Sequence, residues 1–139
     1  MTHMKMTIVG LAAAALLCAC TSSPGGPQNT YTFREGAPLE LIEGNRQLAA
    51  SLKIKNVQSK HLDDGRLLSQ FELVSVDARR LHIDWAVEWF DASGMALPMP
   101  GAWQPLEIGG MGMETIQITA PKPEASSWRL AVRPRTSNR

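Results

Sequence analysis

The stretch LHIDWAVEWFD, residues 81–91, narrows the folds open to this chain more than any other part of it. Its apolar residues take every second position, and its polar residues mostly fall between them. The apolar positions are Leu81, Ile83, Trp85, Val87 and Trp89. Because successive side chains of a β-strand point to opposite faces, this alternation predicts a half-buried strand. At the helical period the same residues would scatter around the axis, so the pattern disfavours a helix.

Shorter segments with strand-like patterns occur on both sides of this stretch, and turn signals separate them. Asp64-Gly65 and the DASG of residues 91–94 are typical of turns, because glycine adopts left-handed backbone angles readily. The further segments are SLKIKNV (51–57), LLSQFELVSV (67–76), METIQITA (113–120) and WRLAVR (128–133). No convincing helix is expected beyond residue 20. We therefore predict an all-β fold, an immunoglobulin-like antiparallel β-sandwich of about seven strands.

The same period predicts which side chains face inward. In residues 51–57 it places Leu52, Ile54 and Asn56 on one face and Val57 on the other. A short strand is expected at MAL, residues 95–97, and another at LEI, residues 106–108. In the closing strand the apolar residues Trp128, Leu130 and Val132 are expected to face inward. Arg129 and Arg133 are expected to face outward.

The N-terminus has the layout of a secretory signal: Lys5, then an apolar run over residues 7–17, then small residues. Eleven helical residues rise about 16 Å, roughly half the hydrocarbon thickness of a bilayer, so a permanent span is disfavoured. Leu17-Cys18-Ala19-Cys20 fits a lipobox, which makes Cys20 the first mature residue and the lipidation site. One alternative is a chance pair of cysteines in a plain signal peptide. Another is a metal or redox pair, which is disfavoured because the sequence has no further cysteine.

These features divide the chain into four parts. Residues 1–19 are the signal peptide, 20–35 the lipidated cysteine and a flexible tether, 36–134 the sandwich, and 135–139 a basic tail. The tail is either an ordinary charged terminus or a contact for lipid phosphate or anionic glycan. An Asp directly after the lipidated cysteine resembles the signal that retains lipoproteins in the inner membrane, and this chain has Thr21 there. We therefore expect the protein in the outer membrane, with the domain facing the periplasm.

Charge and motifs exclude several functional classes. The chain has 14 Lys and Arg against 13 Asp and Glu, and Lys5 leaves with the signal, so no nucleic-acid partner is expected. Asp84 and Glu88 share a strand face but are about 13 Å apart at strand rise, too far for an acid–base pair. His61 and His82 lie in different segments without a zinc motif. We expect no catalytic residue, no metal and no cofactor, and thus no enzyme.

One loop stands out as a candidate interaction surface. Trp103 lies in the Pro- and Gly-rich segment PMPGAWQP, where a tryptophan is either an exposed anchor or a plug over the end of the sandwich. Met99 and Met111 lie near it in the sequence and are either an adaptable apolar surface or core filler.

The segment VEWFDASG, residues 87–94, together with residues 116–121 and 129–133, resembles the YcfL-like family of predicted periplasmic lipoproteins. The resemblance covers residues 36–133 and is sharpest at Trp89-Phe90-Asp91 and Gly94. It implies an immunoglobulin-like sandwich behind a lipobox, but no activity. In some bacteria the family's members are neighbours of a lipoprotein activator of peptidoglycan synthesis, which implies a cell-envelope context. Glu88 departs from the pattern, since many members have an aromatic residue there.

The sequence thus predicts a non-enzymatic lipoprotein, held to the outer membrane through Cys20 and serving as an accessory or interaction module for a cell-envelope protein. An exposed sheet edge could receive an added strand. The alternative is a carrier that holds a lipid or glycan between the sheets, which needs a cavity of about 300 Å³ or more.

Overall fold

The computed structural model describes residues 27–98 and 101–135. They form eight strands and one short helix, arranged as two antiparallel sheets packed face to face, and the predicted all-β sandwich is confirmed. The elements are β1 (Asn29–Arg34), β2 (Glu40–Ile42), α1 (Arg46–Ser51), β3 (Leu52–His61), β4 (Leu67–Ser75), β5 (Leu81–Asp91), β6 (Gln104–Ile108), β7 (Met113–Thr119) and β8 (Ala125–Pro134).

The two sheets are unequal in width. The larger sheet has the strand order β2-β1-β8-β5-β6, and the smaller sheet has the order β3-β4-β7. The chain enters at the start of β1, where Asn29 lies opposite Val132 of β8. Short connections bring the starts of β3, β5 and β7 to this same end, which we call the entry end. The turns at 62–66, 91–94 and 121–124 lie at the opposite, far end.

The core lies between the sheets and is centred on Trp128, which is fully buried. Its ring is stacked on Phe33 of the neighbouring strand and tilted against Phe71 of the facing sheet, with both centroid distances 5.2 Å. Its indole N–H donates to the Ser69 hydroxyl across the interface at 2.9 Å. The predicted inward residues Ile83, Val87, Trp89, Leu130 and Val132 are all buried in this core.

The sandwich begins earlier than expected, because Asn29–Arg34 is a strand rather than part of the tether assigned to residues 20–35. Tyr31 is buried in the core, and so is the side chain of Asn29. The Asn29 amide donates to the Asn45 carbonyl and accepts from the backbone N–H groups of Gly44 and Asn45. Asn29, which lies in the segment predicted to be flexible, is therefore buried, and its side chain joins β1 to the start of α1 by hydrogen bonds.

Helix α1 was not predicted, because six residues give too little period to detect. Asn45 caps it by accepting a hydrogen bond from the Leu48 N–H, and Leu48 and Ala49 are its buried side chains. In the part of the chain that the structure describes, no helix is long and apolar enough to cross a membrane.

Two strand predictions need correction. β3 contains a bulge between Lys55 and Gln58, with Asn56 at a φ of 53°, so Val57 rather than Asn56 packs against the core. An extra residue in one strand reverses the faces that follow it, and a strict period of two cannot show this. The expected strand at residues 95–97 is reduced to a single bridge between Phe90 and Ala96.

The hydrogen bond between Trp128 and Ser69 gives a first prediction. Ser69→Ala leaves a buried indole N–H without an acceptor, and we expect it to lower the free energy of unfolding by about 1–3 kcal/mol in urea titrations. Ser59→Ala, at the exposed position opposite Ser69 on β3, is the matched control and should change it by less than about 0.5 kcal/mol. Equal effects of the two variants would contradict a role for this bond.

Candidate functional site

Among the described residues, four strands have an edge that pairs with no other described strand, and one of these edges lacks protection. β2 has three residues, and β6 has five and contains Pro105. β3 is longer, but its edge carries the bulge and three lysines, Lys53, Lys55 and Lys60. Bulges, lysines, prolines and shortness are the usual devices that keep strand edges from pairing. β7 has seven residues with Glu114 as its one charge, no proline and no bulge, and its described neighbour is β4 alone.

The pairing of β7 with β4 shows which of its backbone groups are free. The Ala120 N–H donates to the Leu67 carbonyl at 2.8 Å, and the Ser75 N–H donates to the Gly112 carbonyl at 2.9 Å. Because the backbone groups of an antiparallel strand alternate in direction, the even-numbered residues of β7 face β4. The N–H and C=O groups of the odd-numbered residues point outward, and these are Met113, Thr115, Gln117 and Thr119.

An open cleft of about 450 Å³ runs along this free edge, between the two sheets. Its inner surface comes from the inward-facing residues Trp85, Val87 and Trp89 of β5 and from Ile116 and Ile118 of β7. The five-residue segment of β7 from Thr115 to Thr119 forms one side of it. The cleft therefore places apolar side chains of β5, within a mixed polar and apolar lining, beside a row of backbone groups that β4 does not pair.

The segment after residue 100 forms the other side of the cleft, with Gly101, Ala102 and Gln104 lining it. Gly101 passes so close to β5 that a Cβ atom there would overlap the Val87 carbonyl oxygen. This position therefore requires glycine. Because the chain crosses the edge of β5 at this point, Ala102 lies on the cleft side and the ring of Trp103 lies on the outer face of the larger sheet.

Trp103 does not cover the end of the sandwich, because its ring lies on the outer face of the larger sheet. Its ring lies on the guanidinium group of Arg133, 3.9 Å from the ring centroid, and the tryptophan remains 36% exposed. Arg133 faces outward as predicted, but this cover leaves it only 9% exposed. Its Nε lies 3.7 Å from an oxygen of Asp84. Arg129, the other outward-facing arginine of β8, lies over the ring of Phe90 at 4.9 Å.

The structure does not bring the predicted interaction residues together. Trp103 precedes β6 and Met111 follows it, and five residues of strand rise about 16 Å. Met111 is 68% exposed at the entry end, far from the cleft wall that Trp103 adjoins. Met99 and Cys20 lie outside the described residues. The free edge of β7 was not predicted, because a single sequence does not reveal which strands pair; the signal that could have indicated it is the low charge of METIQIT.

Several polar residues form turns and surface side-chain contacts. His61 pairs with Glu35 at 2.8 Å, and His82 with Glu107 at 3.2 Å. Within residues 27–98 and 101–135, no three His, Cys, Asp or Glu side chains lie close enough together to hold a metal ion.

Asp91 organises the turn at the far end of β5. Its carboxylate accepts from the Ser93 hydroxyl and from the N–H groups of Ser93 and Met95, at 2.6 to 3.0 Å. The Ser93 hydroxyl, with the Met95 N–H next in importance, lowers the pKa of Asp91 below its ordinary value of 3.8. The backbone N–H groups of Arg66 and Arg79 likewise lower the pKa values of Asp64 and Asp77. The turns predicted at Asp64-Gly65 and at residues 91–94 are confirmed, with Gly65 and Gly94 both at a φ of 86°.

The lowered pKa of Asp91 gives a pH-dependent prediction. A carboxyl whose pKa is lower in the folded state stabilises the fold above its unfolded pKa, and this contribution is lost as the pH falls through the folded pKa. Asp91→Asn should therefore reduce the free energy of unfolding at neutral pH, and the difference from the native protein should shrink below pH 3.8. Asp63→Asn, at a nearby exposed turn position, is the control. A difference that stays constant with pH would contradict the electrostatic origin.

The contact between Trp103 and Arg133 gives a separate prediction. Trp103→Ala uncovers Arg133 and removes the cation–π contact, and we expect it to lower the free energy of unfolding by about 0.5–2 kcal/mol. Trp103→Phe keeps an aromatic face and should lose less. If the alanine variant unfolds at the same urea concentration as the native protein, the ring does not stabilise this face.

Comparison with solved structures shows similar folds. The crystal structure of a DUF1425 family member from Shewanella sp. pv-4 superposes with a TM-score of 0.55 at 18% identity, and the match covers 84% of this chain and 95% of that one. The crystal structure of Campylobacter jejuni cj0090 gives a TM-score of 0.50 at 21% identity, covering 59% of this chain and 85% of that one. At these identities the likeness concerns the fold alone.

Sequence comparison identifies the family. No curated protein matches the sequence. Residues 40–134, from β2 to the end of β8, match the family described as "Protein of unknown function (DUF1425)". The chain therefore belongs to the DUF1425 family.

Proposed function

We propose that this protein is a YcfL-like lipoprotein of the outer membrane, anchored through Cys20, whose periplasmic sandwich binds an extended segment of a cell-envelope protein along β7. The anchor and location are inferred from the lipobox Leu17-Cys18-Ala19-Cys20 and from Thr21. The binding mode is inferred from one observation, the unprotected edge of β7 beside a cleft whose inner surface includes Trp85 and Trp89. In this proposal the protein is an interaction module and not an enzyme.

Strand addition uses both features of the site. An added strand would form main-chain hydrogen bonds with the outward N–H and C=O groups of Thr115 and Gln117. Side chains of a strand alternate, so every second side chain of the added segment would point into the cleft, toward Trp85 and Trp89. The favoured segment therefore carries apolar or aromatic residues at alternate positions and polar residues between them.

A lipid or glycan carrier is the second candidate, and the volume of the cleft favours it. At about 450 Å³ the cleft exceeds the smallest volume typical of ligand pockets, about 300 Å³. However, the centre of the sandwich is filled by Trp128, Phe71 and Leu130, all fully buried, so a ligand could occupy only the open side. An acyl chain has no groups that hydrogen-bond to the backbone of β7, and a sugar would bond to it without the regular register of a strand. The chemical class of the captured species therefore separates the two candidates.

The test is site-specific crosslinking of the full-length lipoprotein in living cells. A photoreactive residue at Thr119 captures what lies beside β7, and mass spectrometry identifies the captured species and its attached segment. Gln117→Pro removes one outward N–H while leaving the hydrogen bonds to β4, since the N–H of residue 117 does not face β4. We expect capture of one recurrent protein segment, reduced at least tenfold by Gln117→Pro.

Gln117→Ala is the matched control, because it shortens the side chain but keeps the N–H; it should capture as the native protein does. Circular dichroism of both variants checks that the sandwich remains folded. Equal capture by the proline and alanine variants would contradict strand addition. A captured lipid or glycan, insensitive to Gln117→Pro, would establish the carrier instead.

A further inference from the structure

A group of exposed apolar side chains at the entry end takes no part in the cleft. It consists of Val76, Met111 and Met113, which are 43%, 68% and 53% exposed, and we call it the entry-end patch. Backbone contacts hold the three together. The Ser75 N–H donates to the Gly112 carbonyl at 2.9 Å, and the Met111 N–H donates to the Asp77 carbonyl at 2.8 Å. Exposed apolar side chains that are grouped together are a feature of surfaces that contact a protein or a membrane.

Met111 adds a second observation. Its φ is 57°, in the left-handed region where glycine is favoured and a long side chain is uncommon. The residue stands in a turn with Gly109, Gly110 and Gly112, so a methionine occupies one position of an otherwise glycine turn. The backbone is thus held in a strained conformation that displays a flexible apolar side chain to solvent. Strain of this kind clusters at functional sites.

The position of the patch relative to the N-terminal segment indicates what covers it. The described chain begins at Pro27, beside Asn29 at the same end of the sandwich. The seven residues 21–27 can span at most about 25 Å, even when fully extended. A lipid on Cys20 would therefore hold the entry end, and not the far end, close to the bilayer. Ile42, a further exposed apolar residue at 56%, lies at this end of β2.

Basic side chains lie next to the patch. Lys53 of β3 is opposite Val74 of β4, and Val74 is opposite Met113 of β7. The side chain of Arg79 is 83% exposed in the connection that follows Val76, with Asp77 3.6 Å from its Nε. Apolar residues flanked by basic ones are the composition that binds the boundary between lipid head groups and acyl chains.

We propose that the entry-end patch docks on the bilayer that holds the Cys20 lipid, with Val76, Met111 and Met113 entering the head-group boundary and Lys53 and Arg79 contacting lipid phosphates. This inference rests on the lipidation in the proposed function. It fixes an orientation as well as a contact. β7 starts at the entry end and runs away from it, so the free edge would stand upright on the membrane, with the cleft open to the side.

The test uses spin labels on the full-length lipoprotein in vesicles of phosphatidylethanolamine and phosphatidylglycerol. The label is placed at Gly109→Cys, beside the patch, where an added Cβ has no atom within 4 Å. Ala92→Cys, exposed in the turn at the far end, is the matched position. Collision with oxygen, which concentrates in lipid, is compared with collision with a water-soluble nickel chelate. We expect the oxygen-to-nickel ratio to rise several-fold at residue 109 on vesicle binding, and to stay unchanged at residue 92.

A variant pair links the signal to the patch. Met113→Asp should abolish the rise at residue 109, while Met95→Asp should preserve it, because Met95 is equally apolar and 68% exposed but lies at the far end. A lipidated protein whose two labels remain equally accessible to nickel would overturn the docking and leave the anchor in place. The mass of the mature N-terminus decides the anchor separately, and an unacylated protein would overturn both proposals.

Discussion

The packing of Trp128 between the two sheets is the contact on which the rest of the structure depends. This one side chain stacks on Phe33 within its own sheet, meets Phe71 of the facing sheet, and donates a hydrogen bond to Ser69. Large aromatic side chains contribute most of the buried area in small cores, and a buried indole N–H needs a partner. The chain has no cysteine after residue 20, so this core must stabilise the domain without a disulfide.

The position of that contact also produces the cleft. Five strands at the usual spacing span about 19 Å between the outermost pair, and three strands span about 10 Å. Once Ser69 of β4 is fixed against Trp128 of β8, the three strands of the smaller sheet cannot cover all five strands of the larger sheet. Trp85 remains half-buried there, and β7 ends the smaller sheet with its outward backbone groups unpaired. The candidate site is thus a result of sheet width and not of an unusual residue.

The parts of the fold that the sequence predicted are those in which local pattern and tertiary position agree. β5 and β8 alternate strictly because one face of each packs against the core, and the turns at 62–66 and 91–94 carry glycines at positive φ. The features that were not predicted depend on contacts or irregularities that a local pattern does not show. Asn29 is a buried brace only through its contacts with Gly44 and Asn45, which are distant in sequence. The bulge in β3 places Val57, and not Asn56, on the face that packs against the core.

The candidate site was less predictable than the fold, because its main feature is a missing neighbour. Nothing local to METIQIT determines that β4 pairs with one side of β7 and that the other side stays free. Trp103 was predicted as part of an interaction surface, but its contact with Arg133 could not be predicted, because it arises from pairing in the larger sheet. The entry-end patch combines Val76 with Met111 and Met113, which come together only because β4 and β7 are neighbours.

The most direct test of the central claim, that β7 offers an open edge, is amide hydrogen exchange followed by NMR on the purified protein. We expect fast exchange for the amides of Thr115 and Gln117, which point outward, and strong protection for those of Ile116 and Ile118, which face β4. Addition of a captured partner segment should then protect the two outward amides. Protection of Thr115 and Gln117 in the protein alone would show that the edge is already covered, and would contradict the account.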